Sequence, residues 1–305
     1  MTAISQVKAN RRRRVLGGTD IEISPIAWGM WRFCGQDVDA GRVRVETALD
    51  AGITLFDTAD IYGPDNGEPF GAAETLLGRV FRESPGLRSR MVLATKGGIR
   101  IGVPYDSSAE YLRSAIDSSL GRLGTERVEL WQIHRPDILA HPQEVARVLD
   151  DAYQSGKIRA IGVSNFTTSQ TAMLAHFSTV PLSSQQPELS PLYTAPLQNG
   201  LLDQAIVMGM TVLAWSPLGG GRIANPSDER SKAVATLLDA KAREAGVDRA
   251  AAAYSWIMAH PSEPVPIVGT QNVVRIAAIP QAFQVEWSRS EWYRLFETSL
   301  GEKLP

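Results

Sequence analysis

The stretch Gly41-Arg42-Val43-Arg44-Val45-Glu46-Thr47-Ala48-Leu49-Asp50-Ala51-Gly52-Ile53-Thr54-Leu55-Phe56-Asp57 reads as a helix over Gly41–Ala51, a glycine cap at Gly52 and a buried strand that ends in an acid. The same unit recurs along the chain. Met91-Val92-Leu93-Ala94 follows a helical pattern over Gly71–Arg82, and Arg127–Ile133 follows one over Ser108–Leu123. Ile158–Val163 follows one over Pro142–Ser155. Apolar runs at Ser183–Pro187, Thr211–Trp215 and Pro266–Val268, with the opening Pro25-Ile26-Ala27-Trp28, bring the strands to eight. Strands that alternate with helices build a parallel sheet. An open doubly wound sheet would carry G-x-G-x-x-G in its first turn, but Trp28-Gly29-Met30-Trp31-Arg32 has bulky residues there. Eight repeats therefore predict one closed (β/α)8 barrel of the α/β class.

The flanks fit the same plan. Leu16-Gly17-Gly18-Thr19-Asp20-Ile21-Glu22-Ile23-Ser24 has glycine turn chemistry between short apolar pieces and predicts a β-hairpin ahead of the barrel. Trp287–Leu300 predicts a C-terminal helix from the partly helical spacing of Trp287, Trp292, Tyr293, Leu295 and Phe296; it packs on the barrel, and its end is placed to cover the pocket. Residues 1–305 form a single domain in this reading, with residues 1–14 a basic extension expected to be mobile. The arginines Arg11–Arg14 run through Val15-Leu16 straight into Gly17-Gly18, without the apolar run a twin-arginine export signal needs.

Composition narrows the function classes. Lys plus Arg is 31, Asp plus Glu is 33, and the net charge of −2 makes no electrostatic case for nucleic acid or an acidic membrane. No window approaches a membrane-spanning apolar length. The single cysteine, Cys34, permits neither an internal disulfide nor a multi-cysteine metal site, which suits a reducing, cytoplasmic setting.

What decides the chemistry is the residue at each strand end. Strand two ends in Asp57, strand three in Lys96 and strand four in His134, spaced 39 and 38 positions apart. One strand-plus-helix repeat separates each pair, so all three stand at the same level on neighbouring strands, at the rim where barrels build active sites. Tyr62 follows Asp57 closely enough for its loop to fold back over the same spot. Taken singly, each residue also has an ordinary structural explanation as cap, surface charge or rim aromatic; together they converge by one geometric rule. Lys96 is expected to lower the phenol pKa of Tyr62, Asp57 to hold Lys96 charged, and a neutral His134 to direct a carbonyl oxygen. Such a set donates a proton to a carbonyl that receives hydride. It lacks an acyl-transfer nucleophile and clustered carboxylates for a metal.

Phe56–Gly63, Ala94-Thr95-Lys96, Ile133-His134-Arg135 and Ile161-Gly162-Val163-Ser164-Asn165-Phe166 resemble the motifs of the aldo-keto reductases, in order and spacing, over roughly residues 13–305. Within that family, Ala214–Arg222 and the Leu304-Pro305 end resemble the bacterial YdhF-like oxidoreductases. The resemblance implies a barrel that binds extended NADPH, with Tyr62 as proton donor, Lys96 and Asp57 as its tuning pair and His134 orienting the carbonyl. It places Ser164, Asn165 and Gln186 on the nicotinamide carboxamide and Trp215 against the ring. It places Ser216, Pro217, Leu218, Gly219, Gly220, Gly221 and Arg222 on the pyrophosphate. Gly29, Met30 and Trp31 after strand one, together with Asp57, Tyr62 and His134, fall against the cofactor as well.

One departure concerns the phosphate end. Many members carry a lysine where Gly269 stands, and an acid and an asparagine near Ala278 and Ile279; this chain retains Thr270, Gln271 and Arg275 there. Arg275 can meet a phosphate as a fork, so NADPH is expected over NADH. The substrate pocket is expected to be lined by Trp31, Arg32 and Phe33, with Arg32 read as held in a structural ion pair or as recognising a polar substituent. The expected partner is a small carbonyl compound and the expected assembly a monomer or weak homo-oligomer. Two other functions stay open: a redox-sensing regulatory subunit with slow turnover, like the potassium-channel β subunits, and a phosphate-substrate isomerase on the same barrel.

Overall fold

The computed structural model describes residues 6–305. Eight parallel strands close into a barrel: β1 Ala27–Gly29, β2 Leu55–Asp57, β3 Val92–Gly97, β4 Leu130–Ile133, β5 Ile161–Ser164, β6 Leu182–Gln186, β7 Thr211–Ala214 and β8 Val265–Val268. Each strand pairs with its sequence neighbours, and β8 closes on β1 through Ile267–Ala27 and Val268–Trp28. Around them lie α1 Val38–Asp50, α2 Ala72–Glu83, α3 Ala109–Leu123, α4 Pro142–Gln154, α5 Thr168–Phe177, α6 Leu201–Met208, α7 Glu229–Ala245, α8 Arg249–Met258, α9 Val273–Ala278 and α10 Arg289–Leu300. Every expected strand and helix is present, with ends displaced by a few residues. The Asp37 side chain accepts from Ala40 N to start α1, and Gly52 follows its end at φ 79°, a backbone shape that favours glycine.

The strand period of two sorts side chains into two layers. Leu55, Ala94 and Leu130 point into the barrel, whereas Phe56, Leu93 and Trp131 face the helices. Two residues on from the inward set come Asp57, Lys96 and Gln132, so the polar layer sits one step above the apolar one. The hairpin Arg14–Val15 with Glu22–Ile23 plugs the other end, burying Leu16, Ile21 and Ile23 against that apolar layer. Space inside is tight. A Cβ at Gly162 would stand 2.1 Å from Ser184 Oγ and 2.9 Å from Gln132 Cγ. Gly162→Ala is therefore expected to destabilise the fold by about 1–3 kcal/mol in urea unfolding; an unchanged midpoint would show that the interior yields.

The N-terminal expectation needs correction. Residues 1–5 lie outside the described residues, but residues 6–14 are docked. Gln6–Lys8 pairs antiparallel with Glu286–Ser288, Lys8 meets Glu286 at 2.9 Å, and Asn10 and Arg14 both bond to Glu263. Ladder hydrogen bonds and paired charges hold what basic composition alone suggested was loose.

At the other end, Trp287 stands just ahead of α10, and its Nε1 donates to Ser255 Oγ at 2.9 Å. Trp292 stacks on Trp256 of α8 at 4.8 Å, each indole donating to the other's backbone carbonyl. The end of α10 does approach the rim: Arg230 bonds both Ser299 Oγ and Leu192 O, in the loop after β6. No helix among the described residues is long and apolar enough to cross a membrane.

Candidate active site

Asp57 at the end of β2 and Lys96 at the end of β3 form a buried ion pair, Nζ to Oδ2 2.6 Å, with exposures of 3% and 0%. Lys96 Nζ also donates to Thr58 O at 2.8 Å. The other carboxylate oxygen, Oδ1, accepts from Gln186 Nε2 at 3.0 Å and Gln132 Nε2 at 3.4 Å. Every face of the pair is thus engaged, as a charge taken out of water requires.

Tyr62 comes over this pair on the loop after β2. Lys96 Nζ lies 5.0 Å from its ring centre, and the His134 ring meets it edge-on at 5.9 Å. The three strand-end groups and Tyr62 are therefore together. Burial pushes the Tyr62 phenol above its ordinary value; Lys96 pulls it down, Asp57 pushes it up, and the net is upward. This corrects the expected direction, because the ammonium's attraction is smaller than the desolvation of a phenolate. For Lys96, burial alone would lower the pKa, but the charges of Asp57 and Tyr62 outweigh it and hold the ammonium above its usual range. Burial, followed by Lys96 and Arg135, holds His134 well below the usual imidazole value, so it is neutral near pH 7, as expected.

The amide-bearing residues close the site on the next strands. Asn165 takes a left-handed backbone, φ 60°, which a short polar side chain tolerates. Its Nδ2 donates to Ser164 Oγ at 2.8 Å and His134 O at 3.1 Å, and its Oδ1 accepts from Trp215 Nε1 at 3.0 Å. Ser164 Oγ donates to Gln186 O. Gln186 itself is turned onto Asp57. Ser216 also has a positive φ, 52°, and turns the chain into Pro217, Leu218 and three successive glycines. Gly219, Gly220 and Gly221 have φ of 58°, 66° and 96°, and nothing lies within 4 Å of a Cβ at the last two. Their backbone is open to a ligand.

Beyond this loop is a cavity of about 380 Å³, lined by Leu218, Thr270, Arg275, Ala278, Ile279 and side chains of α7 and α8. Arg249 there is held by both oxygens of Asp239 at 2.7 Å, whereas Arg275 forms no ion pair among the described residues. Trp28 Nε1 bonds Thr270 O at 2.8 Å, and Gln271 Nε2 bonds Gly29 O at 3.2 Å, tying this loop to β1.

The loop after β1 corrects one expectation, the placing of Phe33 in the substrate pocket. The Phe33 side chain is fully buried in the outer core edge-on to Trp28 at 5.6 Å, and the Met30 side chain is buried in the same core. Past the strand end the chain turns, and alternation no longer says which side faces the cleft. Arg32 forms no ion pair among the described residues; its guanidinium lies over Trp31 at 4.5 Å. Arg222, expected on the pyrophosphate, bonds Asp228 at 2.9 Å.

Sequence reading missed Gln132, Arg135, Asp239 and Arg249. Gln132 was signalled by period two from Leu130, in register with Lys96. Arg135, placed over the Trp215 ring at 5.7 Å, follows His134 directly. The other two stand on α7 and the start of α8, where no strand-end rule reaches.

A buried acid–ammonium pair beneath a tyrosine, a neutral histidine and an open glycine loop at a barrel rim define a class. The aldo/keto reductase family profile matches residues 25–299, and the chain belongs to that family of NAD(P)H-dependent oxidoreductases. It is 57% identical to 6-dehydroglucose reductase of Novosphingobium aromaticivorans, across 96% of this chain and 97% of the relative. It is 33% identical to oxidoreductase YdhF of Escherichia coli, across 93% and 96% respectively. Its fold superposes on the glycerol dehydrogenase AKR11B4 of Gluconobacter oxydans with TM-score 0.79, 26% identity and coverage of 98% and 96%.

Proposed function

We propose that this enzyme reduces a sugar aldehyde to the alcohol with NADPH, through Tyr62 as proton donor, Lys96 and Asp57 as its tuning pair and His134 as the residue that orients the carbonyl. The observation that carries this reading is the convergence of those four groups over one buried ion pair. The substrate class is taken from the relative that shares 57% of its residues across nearly the full length of both chains.

The donor set fits a nicotinamide dinucleotide. Ser164 and Asn165 present both donors and acceptors, as a carboxamide requires, and Trp215 offers a flat surface beside them. The backbone of Gly219–Gly221 opens toward a pyrophosphate, and the cavity beyond takes the adenosine end. When bound, the cofactor supplies hydride. The chain's own residues handle the proton. Tyr62 stays protonated through neutral pH because burial disfavours its anion. It releases the proton to the carbonyl oxygen only as charge develops there, and the resulting phenolate lies beside the Lys96 ammonium. Asp57 keeps that ammonium charged, while neutral His134 donates a hydrogen bond to the same oxygen without competing as an acid.

NADPH is favoured over NADH by the state of the two arginines at the cavity. Arg249 is neutralised by Asp239, whereas Arg275, without an ion pair among the described residues, is the cation for a 2′-phosphate. Arg275→Ala is expected to raise KM for NADPH about tenfold or more, the worth of one charged hydrogen bond, with NADH little changed. An equal loss for both reductants would remove Arg275 from this role. The function itself is tested by following NADPH oxidation with 6-dehydroglucose and a panel of simple aldehydes. Multiple turnovers, fastest on the sugar aldehyde, are expected; tight binding without turnover would identify a sensor instead.

A further inference from the structure

We infer that Arg32 is a ligand of the cofactor's pyrophosphate, reaching across from the loop after β1 into space left by the absent side chain of Gly269. The inference rests on the nicotinamide reading above and deepens it. Because β8 pairs with β1 to close the barrel, the loops that leave their ends are neighbours. A Cβ at Gly269 would lie 3.9 Å from Arg32 Nη1, so the guanidinium borders this glycine. The positive charge is free: among the described residues Arg32 has no ion pair or side-chain hydrogen bond, only the face of Trp31.

That face is a fixed platform. Trp31 Nε1 donates to Asp65 Oδ2 at 3.1 Å, and Asn66 Nδ2 donates to Trp31 O at 2.7 Å. A stacked guanidinium keeps its five donors in one plane and loses little freedom when it meets a diphosphate. The position also selects the phosphate. Arg275 lines the cavity read as the adenosine end, whereas Arg32 is outside that lining and stands on Trp31. Of the cations near the glycine loop, Arg222 is occupied by Asp228, and Arg135 lies over the Trp215 ring.

The test is equilibrium binding, read from the fluorescence of the reduced cofactor and by calorimetry for non-fluorescent probes. Arg32→Ala should weaken NADPH, NADH and ADP-ribose alike by about tenfold, since all three carry the pyrophosphate. It should leave 2′-AMP, which carries neither phosphate of that group, within about twofold. Arg32→Lys should restore part of the loss, and Arg32→Gln provides a second variant if the alanine form is unstable. Unchanged dinucleotide affinity in these variants, or a defect confined to KM for the carbonyl substrate, would overturn the inference. A wild-type protein that binds neither NADPH nor NADH would instead overturn the nicotinamide reading itself.

Discussion

Tyr62→Phe is expected to lower kcat for carbonyl reduction by about a thousandfold while the Kd for NADPH changes by less than about threefold. The substitution removes one oxygen and keeps the ring that packs edge-on to His134. What disappears is the proton. Its two nearest titratable neighbours do not replace it: His134 is held neutral by burial and by Lys96, and Lys96 is held charged and turned onto Asp57. Stopped-flow kinetics and a binding titration on the same preparation separate the two effects. A kcat within about tenfold of wild type would assign the proton to another group. The pH dependence carries the same sign. The reducing form of Tyr62 is the protonated one, and its pKa lies above the ordinary phenol value. Reduction should hold steady through neutral pH and fall only in alkaline solution, above the ordinary phenol range.

Lys96→Met should combine loss of activity with a loss of about 3–5 kcal/mol of stability, because it leaves the Asp57 carboxylate buried without its cation. Gln132 and Gln186 would still donate to that carboxylate, but neutral amides replace only part of an ammonium's effect. A thermodynamic cycle distinguishes the pair from its surroundings. Adding Asp57→Asn to Lys96→Met should recover part of the stability, since the stranded charge is gone, while the double variant stays inactive. Additive losses would mean that the two side chains are not energetically coupled. Because the Lys96 pKa is raised, the contribution of the pair is present at neutral pH and fades only as pH rises through the alkaline range.

The barrel and the quartet were legible because both obey a period. Strand, helix and strand-end residue repeat together, and the spacing of Asp57, Lys96 and His134 is enough to place them at one level. The same period of two would have found Gln132. Legibility ended where the chain left its strands. Met30, Trp31, Arg32 and Phe33 are consecutive, yet two are fully buried and two exposed, because the turn after β1 is set by contacts with the 64–66 turn and α1. The net direction of the Tyr62 pKa was misread for a related reason: proximity of a cation shows in the spacing, but the depth of burial does not. Asp239 and Arg249 carry no motif, and their pairing depends on how two helices pack.

The ladder between Gln6–Lys8 and Glu286–Ser288 bears on handling of the protein. Clipping the chain before Ala9 would strip a neighbour from Glu286–Ser288 and bare a row of unpaired amides and carbonyls beside the indole of Trp287. Naked sheet borders of that sort recruit strands from other molecules. A trimmed preparation would therefore be prone to self-association, however sound its catalytic centre.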